Sequence, residues 1–383
     1  MDIKNLIDVE KIINWRRHMH MYPELSFQEY ETAKYIVEAI EKYPDVEILR
    51  PAGNSVVAVL KGGKPGKTLG LRADFDALPV TEEADVDFKS KNPGVSHACG
   101  HDCHAAMLLG ALDALYKIKD DLSGTIKFIF QHGEESVPGG AQEIVKSGVL
   151  DDVQAFYASH VFPDAPPGIL KCSPGTMTAN TDVFQIKILG KGTHGAQPEK
   201  GIDSLLIGTE IVQAINFIVP RYVSAFANAV ITIGCFHAGT AANIVPHTAD
   251  ITGTVRTMDP KVRDFIEQKI NGMANGICAA YGATCEFRYE RGYASVVNDE
   301  PLCEAFKKAA LEMLPEINIV DMKPFMGGED FSAYQAIAPS LFVSIGAAPT
   351  SGESFVNHHP KFYINEDAFP IGTALYIAFA TGM

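Results

Sequence analysis

The chain has 383 residues, of which 46% are hydrophobic and 21% are charged, and its formal net charge is −15. This composition is ordinary for a globular protein, and the length allows about two or three domains. The acidic balance disfavours nucleic acid as a partner, because phosphate binding needs basic surfaces. With no apolar run of eighteen residues and no secretory pattern at the amino terminus, we predict neither a membrane span nor a signal peptide. Seven irregularly spaced cysteines favour reduced thiols and a cytoplasmic location.

The first half of the chain alternates short apolar runs with helical patterns, which predicts an α/β layer with a mostly parallel sheet. The predicted strands are Ser55–Leu60, Thr68–Leu71, Gly124–Phe130 and Ala155–Ser159. The predicted helices are Glu29–Lys42, Ala105–Lys119 and Ala141–Ser147. Near the end of the chain the same pattern returns, with a helix at Pro301–Leu314 and a buried strand at Ser340–Ile345.

The segment from Asp182 to Arg291 has a different pattern, β-α-β-β-α-β, which is the order of a ferredoxin-like unit with its own core. Its predicted strands are Val183–Leu189, Ala229–Phe236, Ala249–Thr257 and Thr284–Tyr289. The apolar positions predicted for its first helix are Leu205, Val212, Ile215 and Val219. Its second helix begins at Asp259-Pro260 and ends at Gly282, a cap with a first-turn proline and a terminating glycine. We therefore predict a first domain of residues 1–178 and 292–383, interrupted by an inserted domain of residues 179–291.

The most distinctive motif is the octet from His97 to His104, which places two cysteines and three histidines in eight residues. Thiolate and imidazole bind borderline-soft divalent metals well, and Cys99 and His101 are close enough to reach one ion. The octet alone leaves other interpretations open. It could be a buried cap, a redox pair of Cys99 and Cys103, or a cysteine nucleophile with a histidine base.

Three of the predicted strands run into acidic or imidazole side chains. These are Asp74, Asp76, Glu134, Glu135 and His160. In open α/β sheets, ligands gather beyond the carboxyl ends of the strands. A cluster of carboxylates at one edge is unfavourable without a cation. The pattern therefore predicts a metal site at this edge of the sheet.

Structural interpretations exist for each carboxylate. Asp74 could pair with Arg72, Asp76 could cap a turn, and the adjacent Glu134 and Glu135 could be solvated charges. The glutamate pair also fits a division of labour, in which one carboxylate binds metal and its neighbour takes a proton from the attacking water. That arrangement is typical of metal-assisted hydrolysis with a general base.

Taken together, these segments resemble the M20 metallopeptidase superfamily, and within it the amidohydrolase subgroup of aminoacylases, hippurate hydrolases and auxin-conjugate hydrolases. The resemblance covers nearly the whole chain and implies a zinc-peptidase-like catalytic domain. The motifs that carry it are Arg16–Glu24, Arg72–Pro79, His97–His104, Glu134-Glu135, Gly190–His194, Gly253–Arg256, Gly328–Phe331 and His358-His359-Pro360.

The resemblance implies a site for two divalent metal ions, with Cys99 bridging them as a thiolate. The implied ligands are Cys99, His101, Glu135, His160 and His358. Glu134 would be the general base, and Asp76 would orient a ligand. Thiolate and imidazole favour zinc, whereas the carboxylates also admit manganese or cobalt.

The same resemblance implies that the inserted domain is a lid through which the chain forms a homodimer or a higher homo-oligomer. His194 of this domain would help to hold the oxyanion, often across a dimer. Asn243 and Arg256 would bind the substrate carboxylate, the arginine through its bidentate fork.

The implied function is hydrolysis of the amide bond of N-acyl amino acids, N-acetyl, N-benzoyl or similar, to a carboxylic acid and a free amino acid. A dipeptidase or aminopeptidase using the same dinuclear site is the alternative, and a cysteine hydrolase belongs to a different class. Three positions stay open. Asp74 stands where related peptidases have a metal histidine, His359 competes with His358 as a ligand, and His132 replaces part of the usual Pro-Ala.

Overall fold

The computed structural model describes residues 3–350 and 353–383. It contains two compact units. The first holds the residues up to Met177 together with Val296–Lys323 and Asp330–Met383, and the second holds Thr178–Ser295 and Pro324–Glu329. Within the described ranges, no helix is both long and apolar enough to cross a membrane.

The secondary structure follows in chain order. The strands are β1 (Glu47–Leu49), β2 (Val56–Lys61), β3 (Lys64–Asp74), β4 (Ser123–Gln131), β5 (Ala155–Phe162), β6 (Ile169–Lys171), β7 (Gly175–Thr176), β8 (Asn180–Leu189), β9 (Thr193–His194), β10 (Ala229–Ala238), β11 (Ile244–Val245), β12 (Thr248–Thr257), β13 (Thr284–Arg291), β14 (Val297–Asn298), β15 (Asn318–Val320) and β16 (Ser340–Gly346). The α-helices are α1 (Val9–Met21), α2 (Tyr30–Ile40), α3 (His101–Tyr116), α4 (Gly140–Lys146), α5 (Ser204–Asn216), α6 (Ile218–Tyr222), α7 (Pro260–Ala280), α8 (Glu300–Met313) and α9 (Ala368–Gly382).

The first unit is built on an eight-stranded sheet with the order β1-β2-β4-β3-β5-β16-β6-β15. The four central strands β4, β3, β5 and β16 run parallel, as do β6 and β15. The other neighbouring pairs are antiparallel. The central strands are buried on both faces, as expected for a parallel sheet covered by helices. The predicted α/β class with a mostly parallel sheet is confirmed.

Helix α3 lies in the core of this unit, and every residue from His101 to Leu115 is buried. It begins four residues before the predicted start at Ala105, because Gly100 is able to adopt the left-handed conformation before it, with φ of 91°. A Cβ atom on Gly100 would come within 2.6 Å of the Val161 side chain. The tight turn therefore needs glycine, and it places metal-competent side chains on both of its flanks.

The second unit has a four-stranded antiparallel sheet with the order β10-β12-β8-β13. Apart from the two-residue strands, its elements follow as strand, helices, two strands, helix and strand. The apolar positions predicted for the first helix are correct at Ile215, which is buried, and at Val212, which packs partly buried against the core, but wrong at Leu205. Ile207, Ile211 and Ile215 are buried against the sheet, whereas Leu205 lies at the surface. Asp203 caps this helix through its side chain, and spacing by four residues from Ile207 sets the buried face.

Candidate active site

The polar side chains meet at the carboxyl edge of the parallel strands in the first unit. Cys99 and His101 flank the glycine turn before α3, and Glu135 follows β4. His160 lies inside β5 and not beyond it, because the strand extends to Phe162. His358 comes from the loop before α9, where its backbone N–H donates to the Ala98 carbonyl oxygen at 2.7 Å.

Among the described residues, five groups of side chains could hold a metal ion, one of them Asp74 with His101 and His104, and two of the five share Cys99. Cys99, His101 and His160 offer donor atoms that all lie within 4.8 Å of one another, and so do Cys99, Glu135 and His358. The Cys99 sulfur is 3.4 Å from His160 Nε2, and His358 Nε2 is 3.2 Å from Glu135 Oε1. One sulfur thus belongs to both groups, which is the arrangement that a thiolate bridge between two ions requires.

In His101 and His160, Nδ1 is engaged in a hydrogen bond within the protein. This orients each ring so that its Nε2 faces the other donor atoms. His160 Nδ1 donates to the Val161 carbonyl oxygen at 2.8 Å, and His101 Nδ1 donates to Asp76 Oδ1 at 3.1 Å. His101 Nε2 is buried and has no hydrogen-bond partner among the described residues. A buried ring nitrogen without a partner, in a ring held from the other side, fits a metal ligand.

The site carries a surplus of negative charge. Burial lowers the pKa of His101, but the charges of Asp74 and Cys99 outweigh it and hold that pKa well above 6.5. Hydrogen bonds to Cys99 and Glu135 raise the pKa of His358 to about 10. Cationic imidazoles are therefore stabilised by their anionic neighbours, and a divalent cation satisfies the same charge. The donor set fits a pair of divalent ions.

Asp76 organises two of the donors at once. Beside its bond to His101, its other oxygen accepts from the Glu135 backbone N–H at 2.9 Å and from Ser26 Oγ at 2.7 Å. Burial raises the pKa of Asp76, but the bond to His101 and its charge prevail and lower it. Asp76 thus holds, as an anion, the ring of one possible donor and the backbone of another.

Glu134 lies beside the donors and is only 7% exposed. Its Oε2 is 3.9 Å from His101 Nε2, and the donor atoms of Glu134, His101 and Glu135 all lie within 4.8 Å of one another.

The residue before Glu134, Gly133, donates its N–H to the buried Glu29 carboxylate at 2.8 Å. From the sequence, Glu29 is placed only as the first residue of a predicted helix, and no motif in the sequence indicates this contact.

The buried carboxyl group of Glu29 makes stability depend on pH. Burial outweighs the hydrogen bond from Asn54 and raises its pKa to about 7. Between pH 4.5 and 7 the folded chain therefore keeps a proton that the unfolded chain has released, so this group destabilises the fold increasingly as pH rises towards 7. Relative to Glu29→Gln, we expect the wild-type free energy of unfolding to fall by roughly 3 kcal/mol from pH 4 to 8. Denaturant melts of both proteins across this range measure it, and parallel curves would refute it.

The structure separates the open histidine positions. His359 Nδ1 accepts from the Lys361 backbone N–H at 3.0 Å, and its ring stacks on Phe355. His132 bridges Ser55 Oγ at 2.5 Å and Glu143 Oε2 at 3.2 Å. Neither ring joins the donor groups, whereas His358 does.

The two cysteines of the octet have different surroundings. The Cys103 thiol is buried and donates to Asp102 Oδ1 at 3.4 Å, and burial and that carboxylate raise its pKa well above 9. Burial and the charge of Glu135 also raise the pKa of Cys99. Nucleophilic cysteines have lowered pKa values, so this environment does not favour a cysteine nucleophile.

The remaining predicted site residues lie in the second unit. Strand β9 pairs with β11 so that His194 is opposite Ile244, and the Gly195 N–H donates to the Asn243 carbonyl oxygen at 2.8 Å. His194 and Asn243 are therefore neighbours, and both are exposed. Arg256 lies apart on β12, where its guanidinium donates to the Val255 carbonyl oxygen at 3.1 Å.

The profile of peptidase family M20/M25/M40 matches residues 70–382. The chain belongs to this family. An N-acyl-L-amino acid amidohydrolase of Geobacillus stearothermophilus is 45% identical over 78% of this chain and 81% of its own length. Thermostable carboxypeptidase 1 of Saccharolobus solfataricus is 38% identical, over 97% of this chain and 96% of its own.

Solved structures agree with the sequence relatives. A Bacillus subtilis protein described as a dinuclear metal binding peptidase from the M20 family has 35% identity and a TM-score of 0.86, covering 97% of each chain. The prediction of an M20-family, metal-dependent hydrolase is confirmed.

Proposed function

We propose that this M20-family hydrolase cleaves the amide bond of N-acyl amino acids at a dinuclear metal site. The observation that carries the proposal is the pair of donor groups that share the Cys99 sulfur, with Glu134 beside them. The proposed ligands are Cys99, His101, Glu135, His160 and His358. Zinc suits the thiolate and imidazole donors, and manganese or cobalt suits the carboxylate.

In the proposed reaction, Glu134 acts as general base and then as general acid. Divalent ions in such a site act as Lewis acids and make water a competent nucleophile at neutral pH. Glu134 takes one proton from the water whose oxygen bonds to the acyl carbon. As the C–N bond breaks, it gives that proton to the leaving nitrogen, so a carboxylic acid and a free amino acid are released. Asp76 keeps the His101 ring oriented throughout.

The acyl substrate is supported by the named activities of relatives. Besides the amidohydrolase, a Bacillus subtilis relative that is 37% identical over 97% of this chain is named N-acetylcysteine deacetylase. The related carboxypeptidase supports a second candidate, cleavage of peptides by a dipeptidase or other peptidase activity at the same site.

A substrate panel separates the two candidates. N-acetyl and N-benzoyl derivatives of one amino acid are compared with dipeptides that end in the same amino acid. We expect the acylated compounds to have the higher kcat/KM. Turnover only of substrates that carry a free α-amino group would contradict the proposal and favour the peptidase.

We further propose that the second unit is a ferredoxin-like lid that forms a homodimer. Support comes from β10, which is an edge strand of its sheet, and from Phe226, which is 98% exposed just before it. Exposed edges and apolar side chains suit pairing with a second copy.

The free thiol state of all seven cysteines supports a cytoplasmic location.

In this lid, His194 is proposed to donate a hydrogen bond to the developing oxyanion, with Asn243 and Arg256 binding the substrate carboxylate. His194 Nδ1 accepts from the Ala196 backbone N–H at 3.0 Å. A neutral ring then carries its proton on Nε2, the nitrogen that must donate to an oxyanion.

His194→Ala is therefore expected to lower kcat by roughly 10²–10³-fold, the effect of losing one oxyanion donor. Bound metal and melting temperature should stay at wild-type values, and His247→Ala, at another exposed histidine of the second unit, serves as the control. Mixing His194→Ala with Glu134→Gln protein tests action across a dimer, because a mixed dimer then has one intact site. No recovery of activity despite measured subunit exchange would refute the trans role.

A further inference from the structure

The strand that carries His160 loses one of its neighbours where the site opens. Strand β3 pairs with β5 only as far as Arg72 opposite Ala158, whereas β3 continues beside β4 to Asp74. Beyond Ala158, β5 keeps its partner β16 on one side only. The backbone of the last residues of β5 therefore needs other hydrogen-bond partners on the β3 side.

Two imidazoles replace the missing strand at Val161. The Ala347 N–H donates to the Phe162 carbonyl oxygen, so the backbone groups of Phe162 point towards β16. Successive residues of a strand point their backbone N–H and C=O groups to opposite sides, so those of Val161 point to the β3 side. The Val161 N–H donates to His104 Nε2 at 3.0 Å, and the Val161 carbonyl oxygen accepts from His160 Nδ1 at 2.8 Å. His104 and His160 thus hold the same backbone residue, and their ring centroids are 4.5 Å apart.

The role of each His104 nitrogen follows from its partners. Nε2 faces a backbone N–H and is therefore an acceptor, so the ring proton resides on Nδ1. Nδ1 lies 2.5 Å from Asp74 Oδ1 and donates to it. The other Asp74 oxygen accepts from Arg72 at 2.7 Å. All three side chains are buried, so the chain from Arg72 through Asp74 to His104 is fixed by the core.

We propose that His104, held by Asp74, is a positioning residue for the metal ligand His160. It anchors the Val161 backbone, and the anchored carbonyl oxygen in turn holds the His160 ring with Nε2 towards Cys99. The inference rests on the proposed function, which assigns His160 to the metal. It also gives Asp74 a role other than metal binding, because its oxygens are engaged by Arg72 and His104.

The test measures zinc affinity and the absorption spectrum of the cobalt-loaded protein. His104→Leu removes the acceptor for the Val161 N–H and is expected to weaken one of the two metal sites by about 10–100-fold, the usual effect of losing a group that orients a ligand. Its cobalt ligand-field bands should shift. His104→Gln restores an acceptor oxygen on a flexible chain and should recover most of the affinity.

Leu115→Ala is the control for stability alone, because Leu115 is fully buried on the same helix α3 and its truncation leaves a cavity. It should lower the melting temperature and leave zinc affinity and the cobalt spectrum unchanged. Wild-type affinity and spectrum in His104→Leu would overturn the proposal.

Two further variants separate this inference from the assignments beneath it. His160→Ala should abolish one site, and if it instead binds both ions as the wild type does, the proposed ligand set is wrong. Asp74→Asn keeps an acceptor for His104 and should bind two ions. If it loses one ion while His104→Leu keeps both, Asp74 is a metal ligand and the positioning role is wrong.

Discussion

Replacing Glu134 with glutamine is expected to lower kcat by roughly 10²–10⁴-fold, the usual cost of losing a general base, while the metal content stays at the wild-type value. The amide matches the carboxylate in shape but cannot take the proton from water. Glu134 lies beside the donors without belonging to either group that shares the Cys99 sulfur. Steady-state kinetics with an N-acetyl amino acid and metal analysis by mass spectrometry measure the two effects.

The matched control is Glu135→Gln at the adjacent residue. Because Glu135 belongs to a donor group with Cys99 and His358, this variant should lose metal as well as activity. Wild-type kcat in metal-loaded Glu134→Gln would exclude Glu134 as the base.

Cys99→Ser is expected to lose bound metal and activity together, because serine is a poor substitute for thiolate as a zinc ligand. Cys99 contributes to both donor groups, so its loss should weaken the binding of both ions. Cys103→Ser, four residues later, is the control and should keep its metal, since that thiol bonds to Asp102. The measurement is metal content and kcat of both variants over a range of added zinc.

The opposite outcome is equally specific. Covalent acylation of Cys99 in wild-type protein by a substrate-like reagent, together with full metal content in Cys99→Ser, would contradict the ligand role. Those results would support a cysteine nucleophile.

Local pattern was enough to predict which side chains converge at the sheet edge. Asp76, Glu135 and His160 come from three strands whose carboxyl ends share one edge, and parallel pairing is the predicted property that brings them together. Cys99 and His101 belong to a turn before a buried helix, so they join the same edge. The types of donor side chain at this edge could thus be predicted from the sequence.

Backbone contacts between residues far apart in the sequence could not be predicted from the sequence. His358 reaches the donors through its N–H bond to Ala98 and a left-handed backbone with φ of 71°, and neither follows from periodicity. The predicted start of α3 at Ala105 was too late, because the polar residues of its first turn do not show the apolar pattern of a helix, although they are buried. His104 belongs to the same octet as Cys99 and His101, and only the divergence of β3 from β5 shows that it binds the Val161 backbone.

Metal reconstitution shows whether a two-ion site carries out the amide hydrolysis. The protein is stripped with a chelator and zinc, manganese or cobalt is added back in steps, while hydrolysis of an N-acetyl amino acid is followed. We expect activity to be lost on stripping and to recover fully at two equivalents of metal per chain. Full activity of the stripped protein, abolished by alkylation of Cys99, would contradict it.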